Sequence, residues 1–159
     1  MNNLTLRKAG QGDSDFAYAV RRAAFRQYVQ KLTGWNEDEQ RELHDQRLRT
    51  QDFRVINLAG IDVGIIAVAV AKDCMKVNQL LLLPEHQGKQ IGRQCMFLLM
   101  DEARRLGLPI RLRVMKVNPR GLVFYERLGF ARTAETDTHD LLEWAAHNSS
   151  FQATRCARG

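Results

Sequence analysis

The stretch LLLLPEHQGKQIGRQ, residues 80–94, carries the chain from its most apolar run through a proline into a glycine-spaced basic loop. The run before it, CMKVNQLLLLP, reads as a long strand stopped by Pro84, which cannot donate to a ladder. The residues after it are helical in pattern. Ile91, Cys95, Leu98, Leu99, Ala103 and Leu106 share a face over residues 91–106, and Gly107 and Pro109 end it. Two readings of the junction compete. Either a strand ends and a helix begins, or the unpaired N–H groups at the positive end of a helix await an anion. Gly88 and Gly92 permit close approach, while Lys89 and Arg93 add charge. The spacing matches neither a Walker loop nor the Gly-x-Gly-x-x-Gly of a dinucleotide fold.

Outward from this junction the pattern is mixed. Residues 4–8 form a short opening strand. GDSDFAYAVRRAAFRQYVQKL then places Phe16, Val20, Ala24 and Tyr28 on one helical face, with Asp13 as its expected N-cap and Gly34 as its break. A second helix runs from Asn36 to about Arg49, and a capping box with Glu39 accounts for the acidic run Glu37, Asp38 and Glu39. FRVINLAG and IDVGIIAVAVAKD are rich in Val and Ile and meet at Gly60, which predicts two antiparallel strands. IRLRVMKVN alternates cations with apolar residues and reads as a strand. A short helix over 119–128 comes next, with Asn118 as N-cap and Pro119 at its first position, then strands at 130–135 and 138–144. The predicted order is β-α-α-β-β-β-α-β-α-β-β in one domain over residues 1–144. Strands 76–83 and 110–117 should lie parallel, and 145–159 is expected to be a loose tail.

At 159 residues, with 45% hydrophobic and 26% charged, the chain has the makeup of a globular domain. No apolar run reaches the roughly 20 residues of a membrane helix. MNNLTLRKAG lacks a signal peptide's apolar core, so a cytoplasmic protein is expected. The net charge of +6 is scattered among acids, without the arm or stripe of a nucleic-acid binder, and suits a small polyanion equally well. Cys74, Cys95 and Cys156 are odd in number and unpaired in spacing, and His44, His86, His139 and His147 form no cluster. Reduced thiols and no metal are expected.

The junction resembles the acetyl-CoA motif of the GCN5-related N-acetyltransferase family: a hydrophobic strand, Pro, then Gln/Arg-x-x-Gly-x-Gly/Ala opening a helix. Here it reads Pro84, Gln87, Gly88, Lys89, Gln90, Ile91, Gly92. NPRGLVFYERLGF, residues 118–130, is similar to the family's second block, Asn-x-x-Ala-x-x-x-Tyr-x-x-x-Gly-Phe. Asn118, Tyr125, Gly129 and Phe130 match at the expected intervals, with Gly121 where alanine is usual. Gln90 stands where glycine is most frequent. If the backbone there needs positive φ, a side chain costs about 1 kcal/mol.

The resemblance implies an α/β fold of mixed sheet and an N-acetyltransferase using acetyl-CoA as cosubstrate. The pyrophosphate would lie on the amides of Gly88, Lys89, Gln90, Ile91, Gly92 and Arg93, beside Gln87. The pantetheine arm would run along a bulged, splayed strand at Leu81, Leu82 and Leu83, with the N–H near Leu82 polarising the thioester carbonyl. Asn118 would contact CoA in addition to its capping role. Tyr125 becomes the candidate acid for the departing thiolate, although it also reads as a core aromatic beside Leu122 and Leu128. The acceptor is a primary amine of a small molecule or peptide, and Tyr28, Trp35 and Glu37 would line its pocket. An alkylammonium, with pKa about 10.4, costs about 4–5 kcal/mol to deprotonate at pH 7. Asn78 and Gln79 cannot serve as that base, and Glu135, Asp137 and His139 are not singled out by anything. The family often forms dimers, so the resemblance allows a homodimer. The rival classes are a catalytically feeble acyl-CoA-binding module and a basic nucleic-acid-binding domain.

Overall fold

Period-2 runs and period-3.6 runs alternate along this chain, and the computed structural model, which describes residues 3–146, turns each into the expected element. In chain order these are β1 (Leu4–Lys8), α1 (Ser14–Leu32), α2 (Glu37–Thr50), β2 (Asp52–Leu58), β3 (Ile61–Val70) and β4 (Met75–Leu82). Then come α3 (Ile91–Leu106), β5 (Ile110–Met115), α4 (Pro119–Arg127), β6 (Ala131–Glu135) and β7 (His139–Trp144). The predicted order is reproduced. The sheet is mixed, with strand order β1-β2-β3-β4-β5-β7-β6. Pairing is antiparallel in β1–β2, β2–β3, β5–β7 and β6–β7, and parallel in β4–β5. Among the described residues no helix is long and apolar enough to cross a membrane. The expected loose tail lies, from residue 147 on, outside the described residues, as does Cys156. Cys74 and Cys95 are buried free thiols.

The chain divides into two compact units. One comprises the chain up to Ala69 together with Val77–Cys95. The other comprises Val70–Lys76 and the chain from Met96 onward. In the first, Ala17 and Val20 of α1 meet Phe53, Ile65 and Ala67 of the sheet, and Leu81 and Leu83 pack at their edge. β3 is buried from Val63 to Val68, as a strand covered on both faces must be. In the second, β5 alternates: Ile110, Leu112 and Val114 are buried while Arg111 and Arg113 face water. The parallel register of β4 with β5 comprises Met75↔Ile110 and Lys76↔Arg111.

Three details differ from the sequence expectation. Asp13 stands at the N-cap position of α1 without capping it. Its carboxylate instead takes the Gly10 N–H at 2.8 Å and both Nη groups of Arg7 at 2.9 Å, since a charged fork outbids a single amide. These bonds hold the Asp13 carboxyl down at about 2. On α3, Leu98 and Leu106 are exposed at 41% and 50%, and Met96 and Met100 are buried in their place. The buried stripe follows the fourfold rows 91-95-99-103 and 96-100, so the buried face is turned toward Met96 and Met100 and away from Leu98 and Leu106. The four leucines of residues 80–83, the most apolar run of the sequence, are all half-buried, and the strand ends at Leu82.

Gly64 decides where the end of β4 lies. A Cβ there would run into the Leu81 carbonyl oxygen and come within 2.9 Å of Leu82 Cδ2 and 3.1 Å of Leu82 Cα. β4 therefore leans its backbone onto β3 at Leu81–Leu82, the close approach that a glycine inside a strand marks. The Leu83 N–H donates to the Val63 carbonyl at 2.9 Å and fixes the lean. Gly64→Ala must push Leu81 away, and overpacking of this kind costs about 1–3 kcal/mol. A urea-denaturation midpoint lowered accordingly is the expected outcome. An unchanged midpoint would mean that β4 retreats freely.

Candidate functional site

Once β4 ends, the chain makes a single 3-10 turn, Pro84–His86, before α3. Gln87 braces that turn. Its backbone N–H donates to Pro84 O at 3.2 Å and its side-chain amide to Leu82 O at 2.9 Å. Gly88 and Gln90 then adopt left-handed φ of +75° and +67° on either side of Lys89. Gln90 is thus in the conformation glycine would favour, and its side chain accepts from Arg93 Nη1 at 3.4 Å. The first bond into the helix is Gln94 N–H to Gln90 O. Among the described residues the amides of Gly88, Lys89, Gln90, Ile91 and Gly92 donate to no backbone carbonyl. Alternating handedness concentrates such amides into a concave, positively polarised patch, here at the positive end of a 16-residue helix. Gly88, Lys89 and Gln90 are exposed, so water can reach their donors.

The second motif is local to α4 in the other unit. Asn118 caps the helix through Oδ1, which accepts the Gly121 N–H at 3.2 Å, and Pro119 comes at the first position. Gly121 makes room for that cap. A Cβ there would lie 2.7 Å from Asn118 Nδ2 and 3.0 Å from Val114 Cγ1. Past the helix the Phe130 N–H returns to the Tyr125 carbonyl at 3.1 Å and buries the Phe130 ring. Tyr125 is held edge-on between Phe124 at 4.9 Å and Phe130 at 5.5 Å. Its hydroxyl makes no hydrogen bond among the described residues, and desolvation pushes the phenol above its ordinary range. The group stays protonated at pH values where an exposed tyrosine has begun to ionise.

In the first unit, α1, α2 and β4 bury a polar cluster that the sequence pattern did not single out. Arg21, Gln40 and Gln79 are 5%, 7% and 8% exposed. Arg21 donates through Nη1 to Gln79 Oε1 at 3.3 Å and through Nη2 to Gln40 Oε1 at 3.4 Å, and its guanidinium lies 4.9 Å over Phe25. Tyr28 meets the same Phe25 ring edge-on at 6.0 Å. Arg21 has no carboxylate partner among the described residues. Burial, and then the charge of Arg47, depress it to about 10. The signal was present: an arginine inside the apolar row of Ala17, Val20 and Ala24.

Glu37 is placed otherwise than as a free acid. It accepts from Tyr18 Oη at 2.6 Å and pairs with Arg22 and Arg26 at 3.1 and 3.8 Å. The Tyr18 hydrogen bond leads in holding its pKa below the usual value. The indole N–H of half-buried Trp35 acts on Glu37 in the same direction, without closing a full hydrogen bond. Asn36 caps α2 as expected, accepting the Glu39 N–H at 2.9 Å. Among the described residues no group of three or more His, Cys, Asp or Glu side chains converges as a metal site.

Known proteins share this architecture. Residues 17–130 match the family model described as the acetyltransferase (GNAT) family. Among solved structures, the PaiA N-acetyltransferase of Thermoplasma acidophilum, in complex with coenzyme A, superposes with a TM-score of 0.74 at 17% identity. That match covers 90% of this chain and 99% of the other. An acetyltransferase of Thermus thermophilus gives 0.75 at 17%, covering 89% and 96%. Mutant forms of the spermidine/spermine N-acetyltransferase SpeG of Vibrio cholerae give 0.70 at 20%, covering 94% and 98%. At these identities the structural likenesses establish the fold.

The strained residue of the loop yields a measurable consequence. Gln90→Gly is expected to raise the unfolding free energy by about 0.5–1 kcal/mol. Gln90→Val, β-branched in a left-handed conformation, is expected to lower it by about 1–2 kcal/mol. Urea denaturation of the pair checks both signs. A glycine variant less stable than the parent would show that the contact with Arg93 outweighs the backbone strain.

Proposed function

The chain belongs to the acetyltransferase (GNAT) family, and from that premise we propose that it is an N-acetyltransferase moving the acetyl group of acetyl-CoA to a primary amine of a small molecule or peptide, by direct attack in a ternary complex. The observation that carries this reading is the row of amides from Gly88 to Gly92 that meet no backbone carbonyl among the described residues, set by left-handed Gly88 and Gln90 at the start of α3. Such a row fits a diphosphate.

Acetyl-CoA, when bound, supplies the acetyl group as a thioester. The chain's own contributions can be assigned one by one. The amides of Gly88–Gly92 hold the diphosphate, with Lys89 and Arg93 adding charge and Gln87 bracing the loop from within. The half-buried Leu81, Leu82 and Leu83 lend backbone groups to the amides of the pantetheine arm, and the N–H near Leu82 faces the thioester carbonyl. Gly64 sets how far this part of β4 leans. Asn118 caps α4 and contacts CoA. Tyr125 gives its phenolic proton to the departing thiolate, a role for which desolvation keeps the group protonated and its hydroxyl has no competing partner among the described residues. Tyr28, Trp35 and Glu37 border the acceptor. The SpeG neighbour acts on spermidine and spermine, amines of the proposed acceptor class.

Calorimetric titration of the folded protein with acetyl-CoA is expected to show binding, and a thiol-release assay with an amine panel to show turnover. In Tyr125→Phe, turnover should fall by roughly 10²-fold with acetyl-CoA binding unaltered. Undiminished turnover would remove Tyr125 from the chemistry. Absence of heat with acetyl-CoA would remove the function.

A further inference from the structure

A buried guanidinium ordinarily meets a carboxylate, because an ion taken out of water without a counter-ion is expensive to hold. Arg21 does not. It is 5% exposed, and its hydrogen-bond partners are the neutral amide oxygens of Gln79 and Gln40, at 3.3 and 3.4 Å. Both contacts are longer than the roughly 2.7–3.2 Å of a good N–H···O bond. Two donors beside them are left over: Arg21 Nε and Gln79 Nε2 are buried without a partner among the described residues. A scaffold built only to tie α1 to α2 and β4 would place glutamate at one of the two glutamine positions and gain a charge-assisted pair. The cluster instead holds a net positive charge and two unused N–H groups, which is the complement of an anion that is itself an acceptor in two directions.

Its place in the fold says which anion. Gln79 lies on β4 two residues before Leu81, where the reading under Proposed function, on which this inference rests, puts the acetyl donor. Phe25, under the Arg21 guanidinium, and Tyr28 beyond it give the same α1 face an apolar wall. We propose that Arg21 and Gln79 recognise a carboxylate on the acceptor, so that the substrate is an amine bearing a carboxylate, such as an amino acid, and not a polyamine. A polycation would meet the uncompensated charge of Arg21. An amino-carboxylate supplies the missing counter-ion and takes up the Arg21 Nε–H and Gln79 Nε2–H. The charge of Arg47, which already depresses Arg21 to about 10, adds to the attraction for an anion.

The test is acetyl-CoA turnover with the common L-amino acids, the α-carboxamide of each, and spermidine, alongside calorimetry with acetyl-CoA alone. The wild-type chain should prefer the best amino acid over its own amide by about 10- to 100-fold in kcat/KM, the worth of a charge-assisted hydrogen bond. In Arg21→Gln that ratio should fall to about one, while acetyl-CoA is still bound. A purely structural Arg21 would lower both substrates alike and leave the ratio intact, which overturns the proposal. Wild-type protein that uses the amide or spermidine as well as the amino acid overturns it too, and so does acceptance of no amino acid at all. In each of those cases acetyl-CoA binding, if seen, leaves the transferase reading standing. Absence of acetyl-CoA binding removes both. Should Arg21→Gln fail to fold, Arg21→Lys keeps the charge but loses the Nε donor and the planar fork, and its ratio is expected to drop several-fold. A wild-type ratio near one overturns the proposal without either variant.

Discussion

Backbone amides that find no carbonyl are tolerated only where water or a ligand can reach them, and the junction of β4 and α3 holds five in a row among the described residues, Gly88 to Gly92. That arrangement dictates much of the first unit. The loop can turn its N–H groups outward only by adopting left-handed φ at Gly88 and Gln90, and it holds that shape because Gln87 fastens it to the last carbonyl of β4. β4 must end at the right place for this, and its end is set by contact with Gly64 and by the Leu83–Val63 bond. Apolar packing of Leu81 and Leu83 against the cluster of Val20, Phe53 and Ile65 anchors the same residues from the other side. A loop held at both ends in this way is preorganised, so little ordering entropy would be lost on binding an anion there.

Element type was legible wherever one period dominated, as in β5 with its strict alternation or α2 with Asn36 and its acidic first turn. The two spaced motifs were legible for a different reason: their glycines, asparagine and aromatic each answer a local geometric need. Asn118 caps, and Phe130 folds back on Tyr125. Gln90 was legible as a conflict, and its φ of +67° shows the conflict is real. What could not be read were choices made by tertiary neighbours. Asp13 prefers the Arg7 fork, which comes from a strand and not from the helix it precedes. Gly64 looks like any small residue in a strand until the Leu81 carbonyl is seen above it. Leu98 and Leu106 fit the α3 stripe by hydropathy, yet Met96 and Met100 occupy the buried rows.

The polar cluster under α1 and α2 illustrates a trade between stability and use. Replacing a buried, unpaired ion with an apolar side chain of similar size is often neutral or stabilising, so an arginine in that position weakens the fold relative to its alternatives. Arg21 is surrounded by groups that lower the strain without cancelling the charge: two amide oxygens and an aromatic face. Such an environment keeps a cation available for a partner that the described residues do not supply. His44, wholly buried nearby with its Nε2 on the Ser14 carbonyl, is treated in the opposite way: burial lowers its pKa and keeps it neutral. The unit therefore distinguishes a group that must stay uncharged for packing from one whose charge is preserved.

The same contrast bears on how an acceptor amine loses its proton. Glu37 is the acid of this region that the sequence favoured as an acceptor contact, but the Tyr18 hydroxyl and two arginines stabilise its charged form. A carboxylate held below its usual pKa is a poorer proton acceptor, and the neighbouring β4 residues Asn78 and Gln79 are neutral amides. Strong basicity is thus not built into these side chains. An ammonium brought close to a cationic cluster such as Arg21 and Arg47 has its own pKa lowered by like charge. A site that binds the carboxylate of its acceptor through fixed cations would in the same act make the amine of that acceptor easier to deprotonate, and water could then carry the proton away.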